Sequence, residues 1–350
     1  MKLLITGGAG FIGSAFIEYV LKTQAQVSLV NVDKLTYAAN RAWLQGLDHE
    51  PRHLLEAVDI SDAQALQQVF ERHQPDAVLH LAAESHVDRS IEGPSAFVQT
   101  NLVGTHVLLE TARHYWQHLP LERRAAFRVH HVSTDEVYGD LLDSANAEPV
   151  REGAPYAPSS PYSASKAGSD HLVLAWHRTY GLPVVISHAC NNYGPRQYPE
   201  KLIPVMIKQA LLGQKLPIYG AGRQVRDWIH VDDHAAALWK VLQQGRLGQC
   251  YHISAGRRLE NLEVVRQICC LLDELQAPSR PRAPNGQVLS YASLIRHTAD
   301  RPGHDRYYAL DASRITDELG WRAEIGFEQG LRETVEWYVA QLGATPGPGR

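Results

Sequence analysis

Tyr162 and Lys166 stand four positions apart in Tyr-Ser-Ala-Ser-Lys, so on a helix they share one face. A phenol with an ordinary pKa of about 10 is a poor base at neutral pH. A neighbouring ammonium favours the phenolate and lets the tyrosine take a proton from a hydroxyl. The spacing alone is weakly specific, because Tyr and Lys meet this way on many solvated helices. A second reactive group stands in Val-Ser-Thr-Asp-Glu-Val-Tyr-Gly, residues 132–139. Thr134 can hydrogen-bond a reacting hydroxyl. The adjacent carboxyls of Asp135 and Glu136 suit an acid and a base acting on neighbouring carbons, as elimination of water requires. The plain alternative is a polar loop that caps the next element.

Such chemistry needs an electron acceptor, and the chain opens with a place for one. Gly7, Gly10 and Gly13 form a GxxGxxG array directly after an apolar run. The first glycine permits a tight turn, the second lets a pyrophosphate approach the backbone, and the third lets helix pack on strand. The phosphate then rests on the helix N-terminus. Asp33 stands at the distance expected of an acid that binds the adenosine ribose hydroxyls and repels a 2′-phosphate, which favours NAD over NADP. Lys34 beside it softens that preference. Asp59 and Ile60 are placed to frame the adenine, with a helix N-cap as the other reading of Asp59.

The elements that must carry these residues follow from periodicity. Short β-branched runs at Lys2–Thr6, Val27–Asp33, Leu54–Val58, Ala77–Leu81, Arg128–Ser133 and Pro183–His188 alternate with amphipathic stretches near Phe11–Leu21, Ala63–Arg72, Phe97–Tyr115 and Tyr162–Tyr180. This is the pattern of βαβ units. The fold expected is α/β: a Rossmann-type doubly wound parallel sheet with a smaller C-terminal substrate-binding lobe. Residues 1–190 form the dinucleotide-binding domain and 191–343 mainly the lobe, with short helices at Val231–Leu242, Leu262–Leu272 and Phe327–Tyr338. The Gly/Pro-rich tail 344–350 is expected to be disordered.

Composition narrows the classes. A chain of 350 residues, 44% hydrophobic and 21% charged with net charge −4, has the balance of a globular enzyme. It offers no basic stripe for nucleic acid and no polybasic membrane signal. The opening apolar run is too short for a signal peptide or membrane span, so a cytoplasmic location is expected. Cys190, Cys250, Cys269 and Cys270 show no CxxC or Cys/His spacing suited to zinc, and the 18 histidines are scattered without an HExxH pair. No metal site is expected.

The string at 132–139 resembles the dTDP-glucose 4,6-dehydratases, which are extended short-chain dehydrogenase/reductases. The likeness continues in His-Leu-Ala-Ala-Glu-Ser-His-Val-Asp-Arg-Ser (80–90), Pro-Tyr-Ser-Ala-Ser-Lys-Ala (161–167), Asn-Asn-Tyr-Gly-Pro (191–195), Pro-Glu-Lys-Leu-Ile-Pro (199–204), Gln-Val-Arg-Asp-Trp (224–228), Asn-Leu-Glu-Val-Val (261–265) and Asp-Arg-Pro-Gly-His-Asp (300–305). It spans nearly the whole chain. The sister 4-epimerases share the glycines and the Tyr/Lys pair but generally lack the Asp-Glu step.

The resemblance implies a nucleotide-sugar substrate and a redox-neutral reaction. Tyr162 takes the C4 hydroxyl proton as hydride passes to NAD, Glu136 removes the C5 proton, Asp135 protonates the departing C6 hydroxyl, and hydride returns to C6. The implied NAD contacts add Phe11, Ile12, Leu35, Thr36, Leu81, Ala82, Ala83, Ser85, Thr100, Tyr162, Lys166 and Asn192. The implied substrate contacts are Ser85, Thr134, Asn191, Lys201, Leu202, Pro217, Tyr219, Arg226, Asn261, Asp300, Arg301 and His304. Arg226 and Lys201 suit a diphosphate, the alternative being two surface cations. The product belongs to deoxysugar biosynthesis, rhamnose being one destination.

The sequence departs from the family pattern at Ser187-His188-Ala189-Cys190, Ala221 and Tyr307. Apolar residues in Leu102–Tyr115 and Leu172–Trp176 exceed what one sheet-facing stripe needs, and related enzymes pair such helices, so a homodimer is expected. The rival readings are a dehydratase acting on UDP-, GDP- or CDP-linked sugars, a 4-epimerase or a sugar-nucleotide decarboxylase on the same scaffold, and a non-catalytic NAD-sensing module. The intact Thr134, Asp135, Glu136, Tyr162 and Lys166 argue against the last.

Overall fold

The computed structural model describes residues 1–141, 148–276 and 279–343; the tail 344–350 lies outside them. The strands are β1 (Lys2–Thr6), β2 (Ser28–Val32), β3 (His53–Glu56), β4 (Ala77–His80), β5 (Arg128–Thr134), β6 (Val184–Ala189), β7 (Asn191–Tyr193), β8 (Leu216–Tyr219), β9 (Val225–His230), β10 (Cys250–Ile253), β11 (Arg258–Glu260) and β12 (Ile295–Thr298). Seven form one parallel sheet in the order β10-β6-β5-β4-β1-β2-β3. The order reverses between β1 and β4, and there the carboxyl ends of the strands open a crevice.

Both faces of this sheet are buried, which is why its strands read as continuous apolar runs. In β1, Leu3 and Ile5 join the core beneath the helices Phe11–Thr23 and Val231–Gln244. Leu4 points the other way, into the core beneath Ala63–His73 and Thr105–Gln117.

The expected helix Phe97–Tyr115 is broken. Ser95–Phe97 is α-helical, Val98–Gly104 widens into a π-helix, and Thr105–Gln117 resumes the α-helix. Two local facts accompany the widening. A Cβ on Gly104 would meet Ile60 at 2.7 Å. Buried Asn101 is drawn to the Glu84 backbone, accepting its N–H (2.9 Å) and donating to its C=O (3.0 Å), and donates to Ser165 Oγ at 2.8 Å. Turns of this kind recur at functional sites, and this one ties the loop after β4 to the helix Pro161–Tyr180.

After residue 191 the chain builds a second core around Ile203, Trp228, Val264, Ile268, Leu331 and Val335, with the small sheets β11-β9-β7 and β12-β8. It does not stay there. Val231–Gln244 and β10 return to the main sheet, so the seventh strand comes from a stretch where regular alternation had faded from the sequence. No helix among the described residues is long and apolar enough to cross a membrane.

Candidate active site

A cleft of about 350 Å³ runs along the carboxyl ends of the strands, from Gly7 and Asp33 to Tyr162 and Lys201, within the range of small-molecule sites. Its first half is the glycine turn. Gly7 has φ +75°, and a Cβ there would lie 2.6 Å from Ala82 N; one on Gly13 would lie 2.3 Å from the Gly7 carbonyl oxygen. Gly10, the N-cap of Phe11–Thr23, has an ordinary φ of −76° and faces open space apart from the Gly7 oxygen at 3.3 Å. Gly7 and Gly13 are therefore required by the fold, whereas Gly10 keeps room above the helix N-terminus for a phosphate.

Asp33 is fixed by backbone donors, accepting from Ala9 N–H (3.0 Å) and Leu35 N–H (2.8 Å), while burial pushes its carboxyl up. The Lys34 ammonium lies 3.7 Å from Asp59 and 3.9 Å from Glu84, and donates to Thr100 Oγ1 at 3.1 Å. Three carboxylates around one cation leave this corner negative, a poor place for a 2′-phosphate, so the residues fit NAD. Phe11, Ile12, Thr36, Ile60, Leu81, Ala82, Ala83, Ser85, Thr100 and Asn192 also line the cleft. Leu35 and Asp59 are not on its wall. The N-cap of Ala63–His73 is Asp62, not Asp59.

The residues expected to react come from two elements. The helix Pro161–Tyr180 starts at a capping box between Ser160 and Ser163 with proline at its first position, a strong start signal. It carries buried Tyr162 and Lys166. Strand β5 ends at Thr134, and a 3₁₀ turn, Asp135–Tyr138, follows. Gly139 closes the turn with φ +75° where a Cβ would strike the Ala157 oxygen.

Lys166 Nζ donates to the Val132 carbonyl at 2.8 Å, and burial pulls its ammonium down to about 8. Tyr162 differs from the expectation that the ammonium lowers its pKa. Burial first, then the Glu136 charge, push the phenol well above 10, and a hydrogen bond with Thr134 opposes them.

The paired carboxyls sit in contrasting surroundings. Asp135 is buried at 4% exposure, and its Oδ2 has no hydrogen-bond partner among the described residues. Burial and the Glu136 charge hold its pKa well above the usual carboxylate range, which favours the protonated form. Glu136 is half-buried. Burial raises it too, but the charges of Lys201, Arg226 and Arg301 all oppose that rise. Neighbouring carboxyls whose environments differ in this way divide into an acid and a base.

Ser85, Asn191, Lys201 and Leu202 line the cleft beyond this pair, and Lys201 Nζ donates to the Ser85 carbonyl at 2.7 Å. The other expected substrate contacts gather beside it around Gln224, which opens the Gln-Val-Arg-Asp-Trp string but is not among the contacts the resemblance implies. Its Nε2 lies 3.1 Å from Asp300 and 3.2 Å from His304, and its backbone carbonyl accepts the Asn261 N–H. Tyr219 packs edge-on against His304, Pro217 lies in β8, and Arg301 reaches Asp88 at 3.4 Å. Arg226 is buried, stacks on Tyr308 at 4.2 Å, and donates to the Val225 and Asp305 carbonyls. Of its five N–H groups, three remain for an anion.

Histidines and a cysteine scattered along the chain do converge. His188, Cys250 and His252 bring one donor atom each within 4.8 Å. Hydrogen bonds account for the group: His188 meets Asp170 (2.9 Å) and Cys250 Sγ (2.7 Å), and His252 meets Tyr138 OH (2.8 Å) and the Val150 carbonyl (3.0 Å).

The family model described as GDP-mannose 4,6 dehydratase matches residues 4–334. A dTDP-glucose 4,6-dehydratase of Haemophilus influenzae is 55% identical over 339 residues, covering 97% of this chain and 98% of that protein. A second, from Escherichia coli K12, is 53% identical over 346 residues, covering 97% and 93%. Among solved structures, a dTDP-glucose 4,6-dehydratase of Streptomyces venezuelae with NAD and dTDP bound has TM-score 0.85 at 44% identity, covering 98% of each chain. A UDP-glucose 4-epimerase of Thermotoga maritima reaches 0.82 at 27% identity, covering 98% and 100%. Backbone similarity alone therefore does not separate elimination from epimerisation; the side chains after β5 must.

Proposed function

The chain belongs to the GDP-mannose 4,6 dehydratase family, and on that premise we infer its reaction from the cleft. It is an NAD-dependent hydro-lyase that converts dTDP-glucose to dTDP-4-keto-6-deoxyglucose and water. The observation that carries the choice is the Asp135/Glu136 pair at the end of β5, one carboxyl buried and pushed well up and the other facing three cations.

Bound NAD would supply a reversible hydride carrier, accepting the hydride from C4 and, after elimination, giving it back at C6 while C5 recovers a proton from Glu136. The chain's residues move the protons. Tyr162, hydrogen-bonded to Thr134, takes the C4 hydroxyl proton. The resulting ketone acidifies C5, whose proton passes to Glu136. Asp135 gives its proton to the C6 oxygen, which leaves as water. Lys201, Arg226 and Arg301 oppose the rise that burial imposes on Glu136, and we assign the same cations to the substrate diphosphate.

The finer reading assigns residues 1–190 mainly to NAD and 191–343 mainly to the nucleotide sugar. It makes the protein a cytoplasmic homodimer that feeds deoxysugar synthesis, including rhamnose. The dimer reading is supported by Val98, Val103 and Tyr180, which stay 47%, 38% and 45% exposed on two neighbouring helical segments. Those segments are tied by a bond from Asn101 Nδ2 to Ser165 Oγ at 2.8 Å. Light scattering at micromolar concentration should report a dimer; a monomer refutes this assignment. For the reaction, the purified protein is incubated with dTDP-, UDP-, GDP- and CDP-glucose. dTDP-glucose should give a product lighter by one water, and a product of unchanged mass would point to epimerisation.

A further inference from the structure

Asp170 is a fully buried carboxylate that the steps above do not use. It lies one turn beyond Lys166 and two beyond Tyr162 on the helix Pro161–Tyr180, so the three share a face. Four side chains from three other segments meet it. From β5 come His131 Nε2 at 3.0 Å and Ser133 Oγ at 2.9 Å. From β6 comes His188 Nε2 at 2.9 Å, and from the loop before the helix comes Tyr156 OH at 3.2 Å. Ser133 immediately precedes the Thr134-Asp135-Glu136 step.

A buried carboxylate with this many donors stays ionised. Breaking such a network leaves polar groups unpaired in the interior, which is strongly unfavourable. The carboxylate therefore clamps the end of β5 against the helix that carries the base. Its charge also matters, because the only ammonium on the same helix face is Lys166.

We propose that Asp170 is a positioning residue for the reaction, a clamp that fixes Thr134, Asp135 and Glu136 relative to Tyr162 and supplies the buried counter-charge of Lys166. This rests on the dehydratase reading. Two directions support it. The Asp170 charge is what opposes the fall of the Lys166 ammonium towards 8, and it adds to the rise of the Tyr162 phenol. The titratable groups facing Asp170 are His131 from β5, His188 from β6, Tyr156 from the preceding loop, Lys166 and Tyr162 on its own helix, and Cys250 and Tyr138 further out. His131 is held neutral, down at about 4, and does not titrate in the working range.

The test compares Asp170→Asn, which keeps the shape and loses the charge, with Ser133→Ala and Tyr156→Phe, which each delete one bond and keep the charge. For Asp170→Asn, loss of the negative charge lowers the Lys166 and Tyr162 pKa values together. Both limbs of the kcat–pH profile should then move to lower pH by roughly one unit, and kcat at pH 8 should fall roughly fivefold. KM for dTDP-glucose should stay within about threefold. The single-bond variants should lose kcat modestly without moving the profile.

An unmoved profile in folded Asp170→Asn overturns the counter-charge role, and so does an equal shift in Ser133→Ala. Should Asp170→Asn not fold, the double variant Ser133→Ala/Tyr156→Phe must show a kcat loss at unchanged KM, and unchanged kcat overturns the clamp. A wild-type protein that does not dehydrate dTDP-glucose would instead refute the function itself.

Discussion

Glu136→Gln removes a charge and a base while leaving the side-chain volume almost unchanged. In the resting site that charge acts in two places: after burial it is the largest contribution raising both the Asp135 carboxyl and the Tyr162 phenol. Its loss lowers both pKa values. Oxidation at C4, which needs Tyr162 to accept a proton, should therefore proceed at least as fast as in the wild type and extend to lower pH. Elimination should not. Without a base at C5 it should slow by about 10²–10⁴-fold, a barrier increase of about 3–5 kcal/mol. Rapid mixing with dTDP-glucose should show reduced-nicotinamide absorbance rising and persisting, and product formed in deuterated water should appear at the slowed rate. Two results would refute this reasoning. Product at the wild-type rate would make Glu136 a loop carboxylate. Absence of both reduced nicotinamide and product would make it a substrate-positioning group upstream of oxidation.

Tyr162→Phe should bind NAD and the sugar nucleotide nearly normally yet lose about 10²–10⁴-fold in turnover; retention of more than about a tenth of the wild-type rate is incompatible with its role as base. Asp135→Asn should slow elimination less severely than Glu136→Gln, because water can partly replace a general acid. The same change should also raise thermal stability at neutral pH. The folded-state pKa of Asp135 lies above its ordinary 3.8, so the wild type loses stability as pH rises through that interval; melting curves that coincide at low pH and separate as pH rises are the expected signature. Gly10→Ala should leave the melting temperature of the apoprotein unchanged but weaken NAD binding, whereas Gly13→Ala, with its Cβ 2.3 Å from a carbonyl oxygen, should destabilise the fold. Equal melting temperatures for those two variants would contradict the division of labour among the glycines.

The sequence by itself marked most of the residues that the cleft brings together, because the decisive signals are local. A glycine triplet after an apolar strand, an acid after the next strand, YxxxK at helical spacing and Thr-Asp-Glu after β5 each depend on chain geometry over a few residues. Short β-branched runs and period-3.6 patterns likewise placed six strands of the main sheet and the helices around them. Tertiary structure decided what depends on distant segments meeting. β10 joins the sheet next to β6, although it is four residues long and lies among less regular elements. The π turn at Val98–Gly104 exists where Asn101 reaches Glu84 and Ser165, a constraint invisible to hydrophobic periodicity. Gln224 organises the substrate side only once Asn261, Asp300 and His304 surround it. Burial then sets charge: it raises Asp135 and Tyr162 and lowers Lys166, and a residue's type cannot reveal how much water its neighbours will remove. Asp170 is the plainest case. In the sequence it is one more polar helix residue, and it becomes a buried hub only because β5, β6 and a loop bring His131, Ser133, His188 and Tyr156 to the same carboxylate.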